Sequence, residues 1–587
     1  MRPHKLLPGF IVILVFTTSA AGEETDKSLT DKGVDQRIAL IQAGTSHATI
    51  VIAHDAPDTV RRAGERLRQY IKQMTDVDLP LVTDQVAIQS PAHRSQLQIC
   101  VGPSELTRSE VAELSADPYA PGGQDAIVRH IDDKIILTGS GALNGIATRY
   151  AVGKFLHVLG ARCYRGVPRE AQDDPLYMVM PRTKELTITA NLDIPVKSIF
   201  LARTPNSTLS PIWSSGGGVS WEIAHNWHGV LQASEFESHP EYFIMRDGNR
   251  QQGRPCESHP QIIARFASTA ANAFAQGRQS FSLTPPDGTR GLCDCQRCQQ
   301  AYKNPKKTAD RFLIFANAVR RELDREYPHY QDHQLHILAG YGWPENLIPP
   351  SAGVVSDRGV TLWVAHQGCH AHGWDDLTCP INREWAKHLR GWMNASPQPV
   401  GIYEYSCYSN YRWDRKWASF PVVSVRRVVQ DVAAYHRVGV GYVYYEAEAG
   451  WHRYVPFRWI NAYAIERAMA NPDLDPDALL KTLCDDLYGH AAQSMQAYYE
   501  LLQRRLEETS LHRGGWYLPD PAKVYSEADV KNLTDLVNHA VWQAQETGGK
   551  DLQRCLEAQK VWFEAVVSLT DPDRDENGPK RFREAPW

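Results

Sequence analysis

Between residues 35 and 192 the apolar positions alternate between the spacing of two that marks strands and the spacing of three and four that marks helices. ATIVIAHD reads as a strand, and the APDTVRRAGERLRQYIKQMTD that follows puts Ala63, Leu67, Tyr70 and Ile71 on one helical face. LQICVG is a second strand, and DAIVRHIDDKIILTGS predicts a hairpin. GALNGIATRYAVGKFLHVLGARCYR predicts a Gly-opened helix running into a strand, and ELTITA closes the package after a Pro-punctuated stretch. Residues 35–192 are thus expected to form a small α/β domain, with Asn191 to Pro195 as a linker.

From 196 to 457 the pattern changes to short apolar runs separated by amphipathic stretches, as in repeated βα units. Strands are predicted at SIFLAR (198 to 203), SFSLTP (280 to 285), LHILAG (335 to 340), TLWVAH (361 to 366), GIYEYS (401 to 406) and GYVYYEAEAG (441 to 450). Helices such as TADRFLIFANAVRRELDREY and SVRRVVQDVAAYHRVG fall between them. The expected fold class is α/β, with a (β/α)8 barrel of the TIM type preferred to a doubly wound open sheet. The reason is that polar and aromatic residues crowd the C-terminal ends of the strands, where barrel enzymes build their sites. Only the stretch from 204 to 260 is poorly patterned. Residues 458–570 read as a helical C-terminal region and 571–587 as a disordered tail.

Residues 1–22 differ in character. Arg2 and Lys5 precede an apolar run from Phe10 to Phe16 and the small residues Ser19, Ala20 and Ala21, the layout of a secretory signal. That run is far shorter than the roughly 18 to 20 residues a spanning helix needs. A secreted or periplasmic protein with no membrane span is expected.

Composition changes the picture only at two points. A net charge of -5 with no long basic run makes nucleic acid an unexpected partner. The 16 Trp, 25 Tyr and 22 His tilt the expectation toward a glycan or polysaccharide substrate, because such rings stack on sugars and His carries protons. No Walker loop, no GxGxxG after a strand and no GxSxG elbow is present, which argues against nucleotide-dependent and α/β-hydrolase chemistry. No cofactor is expected.

Three strand ends carry candidate carboxylates. In YYEAEAGWHRY, Glu446 and Glu448 are two apart and so share a face, with Tyr445, Trp451, His452 and Tyr454 around them. Such an apolar surround suits a carboxyl raised for general-acid duty. Glu404 in GIYEYS ends another strand, beside Tyr403 and Tyr405, and Asp287 in SLTPPDG follows a third at a Pro-forced turn. Three carboxylate sites on three strands match the way a two-carboxylate glycosidase site is assembled. His225, Asn226 and His228 in AHNWHG, with His366, Gln367, His370 and His372 in VAHQGCHAHGW, are read as hydrogen-bonding or loop residues rather than metal ligands, since no HExxH motif accompanies them. His225, Asn226, His228, His366, Tyr405, Tyr445 and Trp451 are the expected substrate contacts. Cys293, Cys295 and Cys298 in CDCQRC, with Cys256 in RPCESHP, read as a brace for the Asp287 loop, with a structural zinc and a disulfide both open. No metal is assigned to the chemistry.

The segments TVRRAGERLRQYIKQMTDVDLPLV and IILTGSGALNGIATRYAVGKFLHVLGARCY resemble the small domain that precedes the barrel in family 20 hexosaminidases and in α-glucuronidases. The barrel segment resembles the domain of unknown function 4838, some members of which belong to glycoside hydrolase family 163, an endo-β-N-acetylglucosaminidase family. The matching residues are SHPEYFIMRDGNRQ with PCESHP, SLTPPDG with CDCQRC, the FANAVRREL helix, IYEYS and GVGYVYYEAEAG. The resemblance implies a retaining barrel glycosidase, cleaving a β-linked glycan through two of Glu446, Glu448, Glu404 and Asp287. Two other readings compete with it. One is an α-glucuronidase-like uronosidase, which needs a cation at the mouth, for which Arg203 and Arg453 are the evident choices. The other is a catalytically silent glycan-binding protein.

Overall fold

The periodicities sort the chain around two large sheets with helices packed on them, accompanied among the described residues by four sheets of two or three strands. The computed structural model describes residues 36–120, 122–167, 172–205, 209–287, 293–302, 307–342, 344–405, 420–446, 457–515 and 518–570. The signal-like segment and the predicted tail lie outside these. The first sheet holds β1 (Ala48–Ile52), β2 (Leu81–Thr83), β3 (Leu97–Val101), β4 (Ala126–Ile131), β5 (Lys134–Gly139) and β6 (Asp193–Val196), in the order β6-β4-β5-β3-β1-β2. Helix α1 (Asp58–Thr75) buries Val60, Ala63, Leu67, Tyr70, Ile71 and Met74 along one stripe. It stops where Asp76 takes a φ of 61° and returns its N–H to the Lys72 carbonyl. Helix α2 (Ala142–Val158) packs beside α1. The predicted hairpin is β4 with β5, antiparallel. The expected linker is instead an edge strand: β6 pairs antiparallel with β4, and Pro195 is tolerated because an edge strand has one side free of ladder bonds.

The second sheet holds β7 (Ala202–Thr204), β8 (Gly217–Gly218), β9 (Ser280–Ser282), β10 (Gln334–Gly340), β11 (Val360–Ala365), β12 (Gly401–Glu404) and β13 (Tyr442–Tyr445), in the order β8-β7-β13-β12-β11-β10-β9. All pair in parallel except β8. The first parallel strand pairs with the last, as in a barrel, yet the ring is a half-barrel: among the described residues no ladder joins β9 to β7 or β8. The poorly patterned stretch lies at that gap. It meets β9 through side chains, with Asn226 Nδ2 donating to the Ser282 carbonyl (3.3 Å) and Trp227 Nε1 to the Leu283 carbonyl (3.0 Å).

One face of this sheet joins the main core. Leu335, Ile337, Leu362, Val364, Ile402 and Val443 are buried there with residues of α3 (Thr308–Glu326), α4 (Pro380–Asn394) and α5 (Val425–Arg437). The predicted helical C-terminal region contains α6 (Arg458–Ala470), α7 (Pro476–Tyr488), α8 (Ala492–Glu507), α9 (Glu527–Thr547) and α10 (Gly549–Thr570). Helix α10 ties back to the first third of the chain, where Arg165 pairs with Glu557 at 2.7 Å and Arg554 Nε donates to the Leu176 carbonyl at 2.6 Å. No helix among the described residues is long and apolar enough to cross a membrane.

The other face is lined by Leu338, Trp363, Ala365, Tyr405 and Tyr442, with Trp221, Tyr341, Tyr403 and Tyr444 partly buried against them. Trp363 is the fixed point of this lining: it is fully buried and its Nε1 donates to His336 Nδ1 at 2.8 Å. Gly401 makes room for it, since a Cβ there would lie 2.3 Å from the indole. Gly401→Ala is therefore expected to cost about 1–3 kcal/mol by overpacking, read as a lower urea midpoint. A midpoint equal to the parent's would mean that Trp363 moves aside at no cost.

Candidate active site

Strand parity decides what reaches the open inner face at the C-terminal end of this sheet. Tyr403 and Tyr405 face inward from β12, and Tyr444 does so from β13. Glu446 follows with the same parity, its N–H continuing the ladder to the Glu404 carbonyl at 2.8 Å. Its charge acts on the phenols of Tyr341, Tyr405 and Tyr444. Tyr341 arrives by a different device. The register of β10 with β11 shifts between Leu338 and Gly340, so Ala339 and Gly340 both turn outward and the next residue swings in.

Asp287 closes the arrangement from the end of β9. Its Oδ1 accepts from the Tyr341 hydroxyl at 2.7 Å and lies 3.2 Å from His225 Nε2. The other ring nitrogen of His225 faces the Pro285 carbonyl. Only an imidazolium can donate at both positions, and the hydrogen bond to Asp287 raises the His225 pKa against the opposing effect of burial. Tyr405 bonds the Tyr341 hydroxyl in turn. Burial, then Asp287, push the Tyr341 phenol far above its ordinary range, so it stays a donor. The result is a relay from Asp287 through Tyr341 to Tyr405, with Glu446 close enough for its charge to act on both phenols.

The floor beside this relay is aromatic. Trp221 lies 5.1 Å, ring centre to ring centre, from both Trp363 and Tyr444, and Tyr403 lies 4.7 Å from Tyr444 and 5.2 Å from Tyr405. Such surfaces accept the apolar face of a pyranose.

The structure brings Asp287, Glu446, His225 and Tyr405 together and separates other candidates from them. Glu404, read as a mouth carboxylate, points to the opposite, helix-covered face. There it is fully buried and accepts from His366 Nδ1 (2.8 Å) and the Tyr435 hydroxyl (2.6 Å). His366 and Tyr445 are buried on that same face, so neither is placed to touch a substrate at the mouth. Parity is the reason: each stands one residue out of step with Trp363, Tyr403 and Tyr444. Asn226 staples the irregular segment to β9. Glu448, Trp451, Arg453 and the side chain of His228 lie outside the described residues. Arg203 is buried and engaged by the Ser215 and Phe200 carbonyls, which leaves it unsuited to receive a uronate. Two site residues escaped the sequence reading. Tyr341 was signalled only as an aromatic directly after LHILAG, and Trp221 sits in the unpatterned stretch.

Ligand-type side chains gather in three groups among the described residues: Cys256 with Cys293, Cys295 and Cys298; Cys369 with His372, Cys379 and His512; and His366 with His370 and Glu404. None includes Asp287 or Glu446. Every cysteine among the described residues is a free thiol.

A parallel half-barrel whose strand ends carry an aromatic floor and two carboxylates defines a mixed α/β protein with an enzyme-like mouth. The chain belongs to the family described as a domain of unknown function (DUF4838), whose model matches residues 174–500. Among solved structures it is similar to a family GH115 4-O-methyl-α-glucuronidase with specificity for decorated arabinogalactans. The TM-score is 0.38 and the identity 10%, covering 91% of this chain and 73% of that one. It is also similar to a mutant Streptomyces plicatus β-hexosaminidase in complex with GlcNAc, at TM-score 0.35 and 12% identity, covering 77% of this chain and 91% of that one. A Thermobaculum terrenum O-GlcNAc hydrolase mutant follows at TM-score 0.29 and 11% identity, covering 53% and 69%. Likeness this distant says nothing of activity. No curated protein matches the chain.

Proposed function

We propose that the protein is an exported glycoside hydrolase that cleaves a β-linked glycan, with an N-acetylhexosamine as the sugar and Glu446 and Asp287 as the working carboxylates. The observation that carries this reading is the convergence of Asp287, Tyr341, Tyr405 and Glu446 over the Trp221 and Tyr444 floor. Asp287, held by the Tyr341 phenol and the His225 ring, is placed to face a developing oxocarbenium charge or to orient an acetamido group. Glu446 is the proton donor to the leaving oxygen. A uronosidase would have to receive its carboxylate through Arg453, because Arg203 is spent on backbone carbonyls.

The test is a panel of aryl β-N-acetylglucosaminides, aryl uronides and intact N-glycans, with the anomer of the product followed by NMR. Release from N-acetylated β-linked substrates with retention of configuration is expected. Cleavage of uronides alone, or glycan binding with no release from any substrate, would overturn the reading.

A further inference from the structure

We propose that the chain binds two structural zinc ions, one in a four-cysteine site and one in a two-cysteine, two-histidine site, which pin loops leaving two neighbouring regions of the half-barrel. The first site joins distant parts of the sequence. Cys256 follows the strand Asn249–Pro255, and its Sγ lies 3.7 Å from Cys293 Sγ, 3.7 Å from Cys295 Sγ and 3.6 Å from Cys298 Sγ. With zinc–sulfur bonds of about 2.3 Å, neighbouring corners of a tetrahedral thiolate site stand about 3.8 Å apart. A disulfide would hold two of these sulfurs at about 2.05 Å. Three buried thiols at nearly equal distances from Cys256, with all four sulfurs within 4.8 Å of one another, fit a tetrahedron's corners rather than two bonded pairs. The surroundings also suit thiolates: the Met245 N–H donates to Cys293 Sγ at 3.2 Å, and Ser258 Oγ lies 2.9 Å from Cys298 Sγ.

A different set of observations carries the second site. Cys369 Sγ lies 3.3 Å from His372 Nδ1, and Cys379 Sγ lies 3.3 Å from His512 Nδ1. The four ligand atoms all fall within 4.8 Å of one another. His372 Nε2 donates to the Thr509 carbonyl at 2.9 Å, which leaves the Nδ1 lone pair directed at the cluster. Metal-bound imidazoles commonly use that arrangement to set their tautomer and ring orientation. Mixed thiolate and imidazole donors in fours select zinc over calcium or magnesium. Both sites offer four protein ligands and no open position, so the ions would brace rather than catalyse. The first would hold the chain just beyond Asp287. The second would lock the segment from Thr509 to Gly515, which follows α8, onto the loop after β11, where the Gly515 N–H already donates to the Gln367 carbonyl at 2.9 Å.

The experiment measures metal in the full chain, purified without chelator, and follows its release with a zinc-sensitive dye as a mercurial reagent titrates the thiols. About two zinc ions per chain are expected, released in step with the thiols. Cys295→Ser with Cys298→Ser should leave one ion, and Cys379→Ser with His512→Ala should leave the other. Each pair should lower the unfolding temperature while the folded protein keeps its glycosidase activity. The parent titration decides the matter even if a variant fails to fold. Metal-free protein, iron in place of zinc, or disulfides among Cys256, Cys293, Cys295 and Cys298 found by mass spectrometry would overturn the proposal. Loss of the same single ion in both variants would do so too.

Discussion

Glu446→Gln is expected to lower turnover by at least about a hundredfold on a confirmed substrate while leaving stability near the parent's. The amide keeps the shape of the carboxyl and its place in the ladder, where the Glu446 backbone N–H bonds the Glu404 carbonyl. What it removes is the transferable proton and the charge that the phenols of Tyr341, Tyr405 and Tyr444 feel. If Glu446 donates the proton, substrates with good leaving groups should be spared most of the loss, since they need little protonation to depart. A uniform loss across leaving groups would instead give Glu446 the role of nucleophile or charge stabiliser. Near-normal turnover would exclude it and pass the role to Asp287 with Glu448.

Glu404→Gln is expected to do the opposite, costing about 3–5 kcal/mol of stability with turnover per folded molecule little changed. The carboxylate is fully buried, and burial alone would raise its pKa. The charge and hydrogen bond of His366, with His370 and Arg427, overcome this and hold it down to about 2. A depressed carboxyl contributes stability that is complete above its unfolded pKa, here about 4.5, and disappears as the pH falls toward about 2. Asp431, raised to about 6 by burial against the pull of Arg427, works in the other sense and costs stability as the pH climbs through its range. The gap between parent and Glu404→Gln in urea midpoint should therefore be widest near neutrality and should close between about pH 4.5 and pH 2. Lost turnover with an unchanged midpoint would return Glu404 to the catalytic candidates.

These two glutamates show where local pattern stops being informative. In GIYEYS and GYVYYEAEAG every position from the strand start to the carboxylate is apolar or aromatic. Both faces of a barrel-type strand are covered, so no polar alternation marks which one a tip residue joins. Glu404 and Glu446 consequently read alike in the sequence, although one packs under helices and the other stands beside the aromatic mouth.

What the sequence by itself determined was the order and kind of elements: the α1 stripe, the β4–β5 hairpin, and the strands near 280, 335, 361, 401 and 441, all of which lie in one parallel sheet. Those features depend on periods of two and of three to four residues, which any window of the chain displays. The mouth Asp287 was also legible, because Pro285 and Pro286 force a turn immediately before it. Tertiary structure alone decided the rest. The bulge at Leu338–Gly340 that turns Tyr341 inward depends on pairing with β11. The open edge beside β9 depends on Asn226 and Trp227 bonding through side chains where a ladder was expected. Cys256 meets Cys293, and Cys379 meets His512, only because packing closes those long loops. Contacts between segments so far apart are set by which surfaces bury together, and the chain carries no local period that encodes them.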